Sequence, residues 1–493
     1  MSEILKTAKY ASIYAIGVFL NRAISFIMIP IYTRFLTASG YGIIELLSMT
    51  VDVFGMIAGL GLTAAVFRYY YKYESQRDKN LVISTITILL IILYLMASSI
   101  GFISSDFLAK IILNSIPQSA YYFKLIFIIF FIQAFIEIPL IFIRAQQKPT
   151  VFIFISTIKL LLQLSLNIYF VVLLEMNILG VLYSSLISSI IIGIILIGYT
   201  FHEVGFHFSK RLAGAVILFG APLIISNLGD FVLTFSDRYF LKAYGTLSDV
   251  GVYSLGYKLG FLLWMFPVEP IFNIWGPQRF EIASKIDAQH INSRVFMYLN
   301  VVLIGCALLI SLLSHDFFKI MSAPEFWDAY KIVPLIILAY VIQAWTRFCN
   351  FGVQYYEKTK YIALGTLFAT ISIILLSFLL IPEFKGYGAA IATIIAFFIR
   401  FIYINHSSQI YYPMKLPWIK ILSMLTMAIL IYLLSLIIKH NNILYSITQN
   451  MLLFFMYISL VALSPILSHD EKQTILNVLA KTFYSLRQIF CDH

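Results

Sequence analysis

Charge is the first thing this chain is short of. Of its 493 residues only 12% are Asp, Glu, Lys or Arg, while 61% are hydrophobic, and the mean hydropathy is +0.92. A soluble domain carries roughly 25% charged residues, so this surface is not built to be wetted. Cysteine is scarce as well: Cys306, Cys349 and Cys491 show no pairing or metal-ligand spacing, which excludes a disulfide framework. There is no Walker A sequence, hence no ATPase within the chain, and no His-x-x-Glu-His or Cys-x-x-Cys metal motif. Long polar loops are missing too. The longest segments expected outside the membrane, about 105–120 and 315–330, are too short for a catalytic domain. That argues against a membrane glycosyltransferase or polymerase, and the expectation is a non-enzyme with no cofactor and no metal.

What the chain has in quantity is apolar runs of about 20 residues, the length that spans a bilayer. Fourteen spanning helices are expected, at 8–31, 41–66, 81–104, 121–145, 151–173, 178–200, 213–241, 249–270, 292–314, 331–354, 360–381, 387–408, 417–438 and 447–467. The first has lysines before it, as a signal peptide would, but it is interrupted by Asn21 and Arg22 and lacks a small-residue cleavage site. It is expected to be retained. The tail, 468–493, carries a stripe of Leu476, Leu479, Phe483, Leu486 and Phe490 and is expected to lie on the membrane surface.

The formal charge of +11 reads as topology rather than nucleic-acid binding. One alternate set of loops is rich in cations: Lys6 and Lys9, Arg68 to Lys79, Arg144 and Lys148, Lys210 and Arg211, Arg279 to Arg294, Lys358 and Lys360, Arg400 and Lys415, and the tail. The other set is sparse, with Arg34, Lys110, Arg238, Lys242, Lys319, Lys331, Lys385 and Lys439. This places both termini in the cytoplasm, as an even number of spans requires. Paired motifs recur about 204–211 residues apart: Gly40-Tyr41-Gly42 with Gly251-Val252-Tyr253, Gly180-Val181-Leu182 with Gly386-Tyr387-Gly388, and Arg34 with Arg238. The expected plan is therefore an all-α integral membrane protein of two parallel six-helix halves, 1–205 and 206–410. Helices 13 and 14 (411–467) and the tail follow. Such repeats around a midplane site are characteristic of secondary transporters.

Ionisable residues inside spans cost about 2.5–3.5 kcal/mol each on insertion scales and so mark function or a partner. Arg22, Lys159, Lys258 and Arg347 are the candidate substrate-binding cations; Arg22 and Lys258, one from each half, would suit a phosphate or diphosphate. The alternative for Arg22 is a structural pair with Asp52, and Lys159 or Arg347 would otherwise snorkel to the interface. Asp52, Asp230 and Glu45 are the candidate ion-coupling carboxylates; the alternative is that they neutralise nearby cations. Asp237-Arg238 is expected to cap a helix at the interface, and Glu137 and Glu269 to mark proline kinks or helix ends. Tyr253 and Tyr257 are candidates for stacking on sugar rings. Pro30, Pro139, Pro222, Pro267, Pro270 and Pro334 are expected to kink helices.

Two stretches carry a family likeness. The first runs from Ser12-Ile13-Tyr14 through Asn21-Arg22 to Pro30-Ile31-Tyr32-Thr33-Arg34-Phe35-Leu36 and Gly40-Tyr41-Gly42; the second is Ser236-Asp237-Arg238-Tyr239 followed by Val250-Gly251-Val252-Tyr253. With these the whole chain resembles the polysaccharide transporter, or Wzx-type oligosaccharide flippase, family of the multidrug/oligosaccharidyl-lipid/polysaccharide exporter superfamily. The resemblance implies a V-shaped bundle that alternates its opening, in the bacterial cytoplasmic membrane. Its substrate would be an undecaprenyl-diphosphate-linked oligosaccharide for O-antigen, capsule or exopolysaccharide. Polymerase and glycosyltransferases would be partners besides the membrane lipids. It also implies that cavity cations from helices 1 and 8 face the diphosphate, where Arg22 and Lys258 fall, although lysine lacks the bidentate fork of arginine. Helices 13 and 14 would form a groove for the lipid tail. A drug/cation antiporter of the same fold is the alternative; it would need a net acidic cavity.

Overall fold

The computed structural model describes residues 26–114, 116–438, 442–467 and 471–473. Arg22, the first expected helix before residue 26 and the tail stripe lie outside the described residues. Among the described residues every regular element is helical. A bilayer demands this: without water, a spanning segment must close its backbone hydrogen bonds internally. Among the described residues eleven helices are long and apolar enough to cross, or twelve if the bent pair Lys210–Pro222 and Asn227–Phe235 forms one more.

In chain order the elements are α1 (Ile29–Phe35), α2 (Ala38–Ala58), α3 (Leu62–Tyr70), α4 (Gln76–Ile103), α5 (Ser105–Leu113) and α6 (Ser119–Ala145). Then come α7 (Pro149–Asn167), α8 (Asn177–Val204), α9 (Lys210–Phe235), α10 (Asp237–Tyr244), α11 (Leu247–Leu263) and α12 (Glu269–Ile282). The last are α13 (Ala288–Met321), α14 (Val333–Cys349), α15 (Phe351–Tyr355), α16 (Lys360–Tyr411), α17 (Trp418–Ile437) and α18 (Ile443–Leu463). The chain forms two compact units: Met1–Leu255, Met321–Asp328 and Thr366–Ala396 make the first; Gly256–Ile320, Ala329–Gly365 and Phe397–His493 make the second.

Several expectations need correction. The single helix expected at 41–66 is two: α2 stops at Ala58, Leu60 and Gly61 take positive φ (45° and 61°), and α3 restarts at Leu62. The helix expected to end near 270 goes on to Ile282, through a π-helical turn at Trp264–Val268 that holds Pro267. Pro270 stands in the first turn of α12, where its missing N–H costs nothing. Arg279, assigned to a loop, therefore lies on a helix and is buried, as is Arg400 on α16. Pro30 and Pro334 likewise open helices, Pro139 is carried inside α6, and Pro222 stands at a 43° bend. The segment 105–120 contains α5, and in 315–330 α13 runs to Met321 before a 3-10 turn at Pro324–Lys331.

At 52 residues α16 would measure about 78 Å if straight, more than twice the hydrocarbon thickness of about 30 Å. It is not straight. Lys385 takes φ 46° and ψ −124° and joins two helices. A Cβ on Gly388 would stand 2.3 Å from the Leu380 carbonyl oxygen, so the chain turns back on itself there. At the far end the Tyr411 hydroxyl donates to the Tyr361 hydroxyl across 3.2 Å. The two arms run antiparallel and correspond to the helices expected at 360–381 and 387–408.

Candidate functional site: a polar cavity among apolar helices

A cavity of about 890 Å³ lies inside the first unit, walled by α2, α3, α4, α6, α7 and α9. Helical periodicity builds it. On α2 the lining residues Ser48, Val51, Asp52, Gly55 and Met56 follow the three-and-four spacing of one helix face, with Gly59 just past its end. On α6 the same spacing selects Ile129, Phe130, Gln133, Ile136, Glu137 and Leu140. The opposite faces of both helices are packed: Leu46 and Leu47 are wholly buried, as are Phe127, Ala134 and Ile138. Helix association in lipid draws on close packing and interhelical hydrogen bonds rather than on hydrophobicity. Ser98 supplies one such bond, its hydroxyl donating to the Phe127 carbonyl oxygen at 2.6 Å.

Glu137 is the best anchored polar group in the cavity. Its carboxylate accepts from the Tyr94 hydroxyl at 2.7 Å and from Thr63 Oγ1 at 3.2 Å. It does not mark a helix end, because α6 continues past Pro139 to Ala145. The clue was present: Gln133 and Glu137 stand four apart in a run that is otherwise apolar. Asp52 is exposed to the cavity, with Glu45 two turns earlier on α2 close enough to act on it electrostatically. Lys159, half-buried on α7, completes the ionisable lining with one ammonium against two carboxylates. The structure thus brings Asp52 and Lys159 to one cavity and adds Glu137, Tyr94, Gln133 and Asn227. Asp230 is exposed one turn after Asn227 on α9, and its carbonyl oxygen accepts from Thr234 Oγ1 at 2.7 Å.

Asp237 and Arg238 are not an interfacial cap. They form a buried ion pair at 2.8 Å, 0% and 2% exposed. The second Asp237 oxygen accepts from the Tyr253 hydroxyl at 2.5 Å, and Arg238 also donates to the Thr234 carbonyl oxygen at 2.9 Å. The family-like stretch Ser236–Tyr239 and Tyr253 therefore fold onto each other as structure. Buried in that contact, Tyr253 offers no face to a sugar. Tyr257 offers none either, being buried and bonded to the Tyr340 hydroxyl at 3.0 Å.

The second unit holds Lys258 and Arg347. Lys258 is half-buried on α11. Arg347 is half-buried, its guanidinium over Phe272 at 4.7 Å and Trp264 at 5.2 Å, close enough to Glu269 to feel its charge. Arg279 lies beneath it, 7% exposed, donating to the Arg347 carbonyl oxygen at 3.3 Å, to Asn350 at 3.4 Å and to Gln354. This buried arginine was hidden from sequence reading by the assignment of its segment to a loop. The second unit also contains an apolar cavity of about 230 Å³ between α13, α14 and α17, lined by Leu308, Leu338, Leu425 and Ile429 among others.

Residues 7–272 match the family described as polysaccharide biosynthesis protein. An uncharacterized membrane protein of Haemophilus influenzae is 27% identical over 263 residues, 52% of this chain and 61% of that protein. The chain thus spans about three fifths of the curated relative it matches. Among solved structures, the lipid II flippase MurJ in an inward closed conformation superposes with a TM-score of 0.74 at 12% identity, covering 91% of this chain and 98% of MurJ. A multidrug resistance transporter of the MATE family, in the MOP superfamily and inward-facing, gives 0.60 at 15% identity over 79% and 94%. At these identities the likeness is one of fold. With more than half of its residues in the family match, a multi-pass helical architecture and this transporter fold, the chain belongs to the polysaccharide biosynthesis protein family.

Proposed function

We propose that this protein is a flippase that moves undecaprenyl-diphosphate-linked oligosaccharide units across the bacterial cytoplasmic membrane for surface polysaccharide assembly. The observation that carries this reading is the 890 Å³ cavity, open and with polar groups set among apolar helices, in a chain of this family and fold. Gln133, Asn227, Glu137 and Tyr94 supply donors and acceptors suited to sugar hydroxyls. Lys159, Lys258, Arg347 and Arg22 are proposed to meet the diphosphate at successive stages, and Asp52, Asp230 and Glu45 to couple transport to an ion gradient. The apolar cavity beside α17 offers room for part of a prenyl chain. The fourteen-helix plan in two six-helix halves plus two helices, with both termini cytoplasmic, belongs to this proposal, as does partnership with polymerase and glycosyltransferases.

The test is a reconstituted flipping assay with a lipid-diphosphate oligosaccharide, comparing wild type with Arg22→Ala, Lys159→Ala and Lys258→Ala. Translocation that falls in the variants at normal expression supports the reading; wild-type protein that flips nothing while extruding an organic cation overturns it. That second outcome corresponds to a drug/cation antiporter. It is favoured by one observation, the excess of carboxylate over ammonium in the lining of the first unit's cavity.

A further inference from the structure

A second polar cavity, of about 210 Å³, lies in the second unit, where α13, α17 and α18 meet beside the 3-10 turn that carries Tyr330. It adjoins the apolar cavity of about 230 Å³, since Ser311 and Tyr432 line both. The lining changes character along the same helices. On α13 it passes from Ile304 and Leu308 through Ser311 to His315 and Lys319, and on α17 from Leu425 and Ile429 through Tyr432 to Ser435. From Ile304 to Lys319 the helix rises about 22 Å, the depth of one bilayer leaflet with its head groups. The polar end lies where α13 and α17 finish and α18 begins, which is where spans meet the membrane boundary.

That polar end is a built site. Asp316, 2% exposed, accepts from Ser446 Oγ and Asn450 Nδ2, each at 3.0 Å, and its other oxygen lies 3.5 Å from His315 Nδ1. One buried carboxylate thus orients three residues of the lining. Lys319 adds an ammonium. Gln449 Nε2 donates to the Ile438 carbonyl oxygen at 3.1 Å, but Gln449 Oε1 is buried with no hydrogen-bond partner among the described residues. A buried acceptor without a donor is costly, and a donor arriving in the cavity would relieve it.

We infer that the two cavities together bind one phospholipid of the bilayer. An acyl chain lies against Leu308 and Ile429, the phosphate meets Lys319, and a hydroxyl or ammonium of the head donates toward Gln449. A single lysine suits the lone charge of a phosphodiester better than a diphosphate. A head with donors, as in phosphatidylglycerol or phosphatidylethanolamine, satisfies Gln449; phosphatidylcholine has none to offer. This occupant is not the transported molecule, so the inference goes beyond the transport reading.

The test is native mass spectrometry of the lipid-stripped full chain in detergent, titrated with the three phospholipids bearing identical acyl chains. Phosphatidylglycerol and phosphatidylethanolamine are expected to bind at least about tenfold more tightly than phosphatidylcholine. Gln449→Leu should bring all three to within about twofold of each other, Lys319→Gln should weaken all three, and Lys110→Gln, an exposed cation on α5, should change none. Glycerophosphoglycerol, the head without chains, should compete only at concentrations at least about a hundredfold higher. Equal binding of the three lipids by wild type overturns the proposal, as does a preference that survives Gln449→Leu. If that variant loses phosphatidylcholine as well, the wild-type order of the three lipids decides alone. Undecaprenyl diphosphate binding more tightly than all three, through Lys319, would assign the site to the transported lipid and overturn the inference as well.

Discussion

Glu137 and Arg279 are both charged residues on apolar helices, and the protein treats them in opposite ways. Glu137 faces an open cavity and keeps two hydroxyl donors, so its charge remains available to an incoming ligand. Arg279 is buried, spends its donors on a backbone carbonyl and two amide side chains, and lies against the faces of Phe351 at 5.0 Å and Phe280 at 5.5 Å. An intramembrane charge is a signal of cost, and that cost is offset either by a wet cavity or by a dense local network. Only the first kind can meet substrate. Lys159 and Asp52 are of the first kind, the Asp237–Arg238 pair is of the second, and Arg347 lies between, stacked on aromatic rings with part of its surface open.

The contrast can be broken from either side. Arg279→Ala should have the largest effect on stability, a loss of about 3 kcal/mol, because three part-buried acceptors lose their donor and the packing on Phe351 and Phe280 goes with it. Thermal unfolding in detergent should show it as a markedly lower midpoint; an unchanged midpoint would place Arg279 with the cavity residues instead. Lys159→Leu should do the reverse. Its folded state should shift by no more than about 0.5 kcal/mol, while translocation in liposomes falls roughly tenfold. Full activity in this variant would remove Lys159 from the transport path. The smallest effect on transport is expected for Tyr94→Phe, which withdraws one donor from Glu137 and leaves Thr63 and the cavity to solvate it. About 1 kcal/mol of stability and a modest loss of transport are expected, and a Glu137→Gln, Tyr94→Phe double variant should lose less than the sum of the two.

Much of the architecture was readable because the bilayer imposes length and apolarity on every span. The helices at 121–145, 178–200 and 417–438 were placed to within a few residues of α6, α8 and α17. The interruptions were not. Between Tyr41 and Val66 the glycines on either side of Leu60 hint at the break, and its left-handed backbone divides the helix. Prolines misled where they fell in a first turn, as at Pro270, because there they extend the chain of helices instead of ending it. Asp52 and Lys159 were found as charges in spans, and the cavity contains both. Glu137 was passed over for its neighbour Pro139, and Arg279 for its position next to a cation-rich loop. Which face a charge presents depends on the packing of other helices, and a single stretch of sequence does not carry that information.

The single-residue reversal at Lys385 bears on how the chain is made. With Leu380 and Gly388 in backbone contact, only a short exposed turn joins the two arms of α16. The arms are therefore expected to enter the bilayer together, as one hairpin about 50 residues long. A reporter inserted at Lys385 would force the two apart, and the step it would impair is membrane insertion rather than transport.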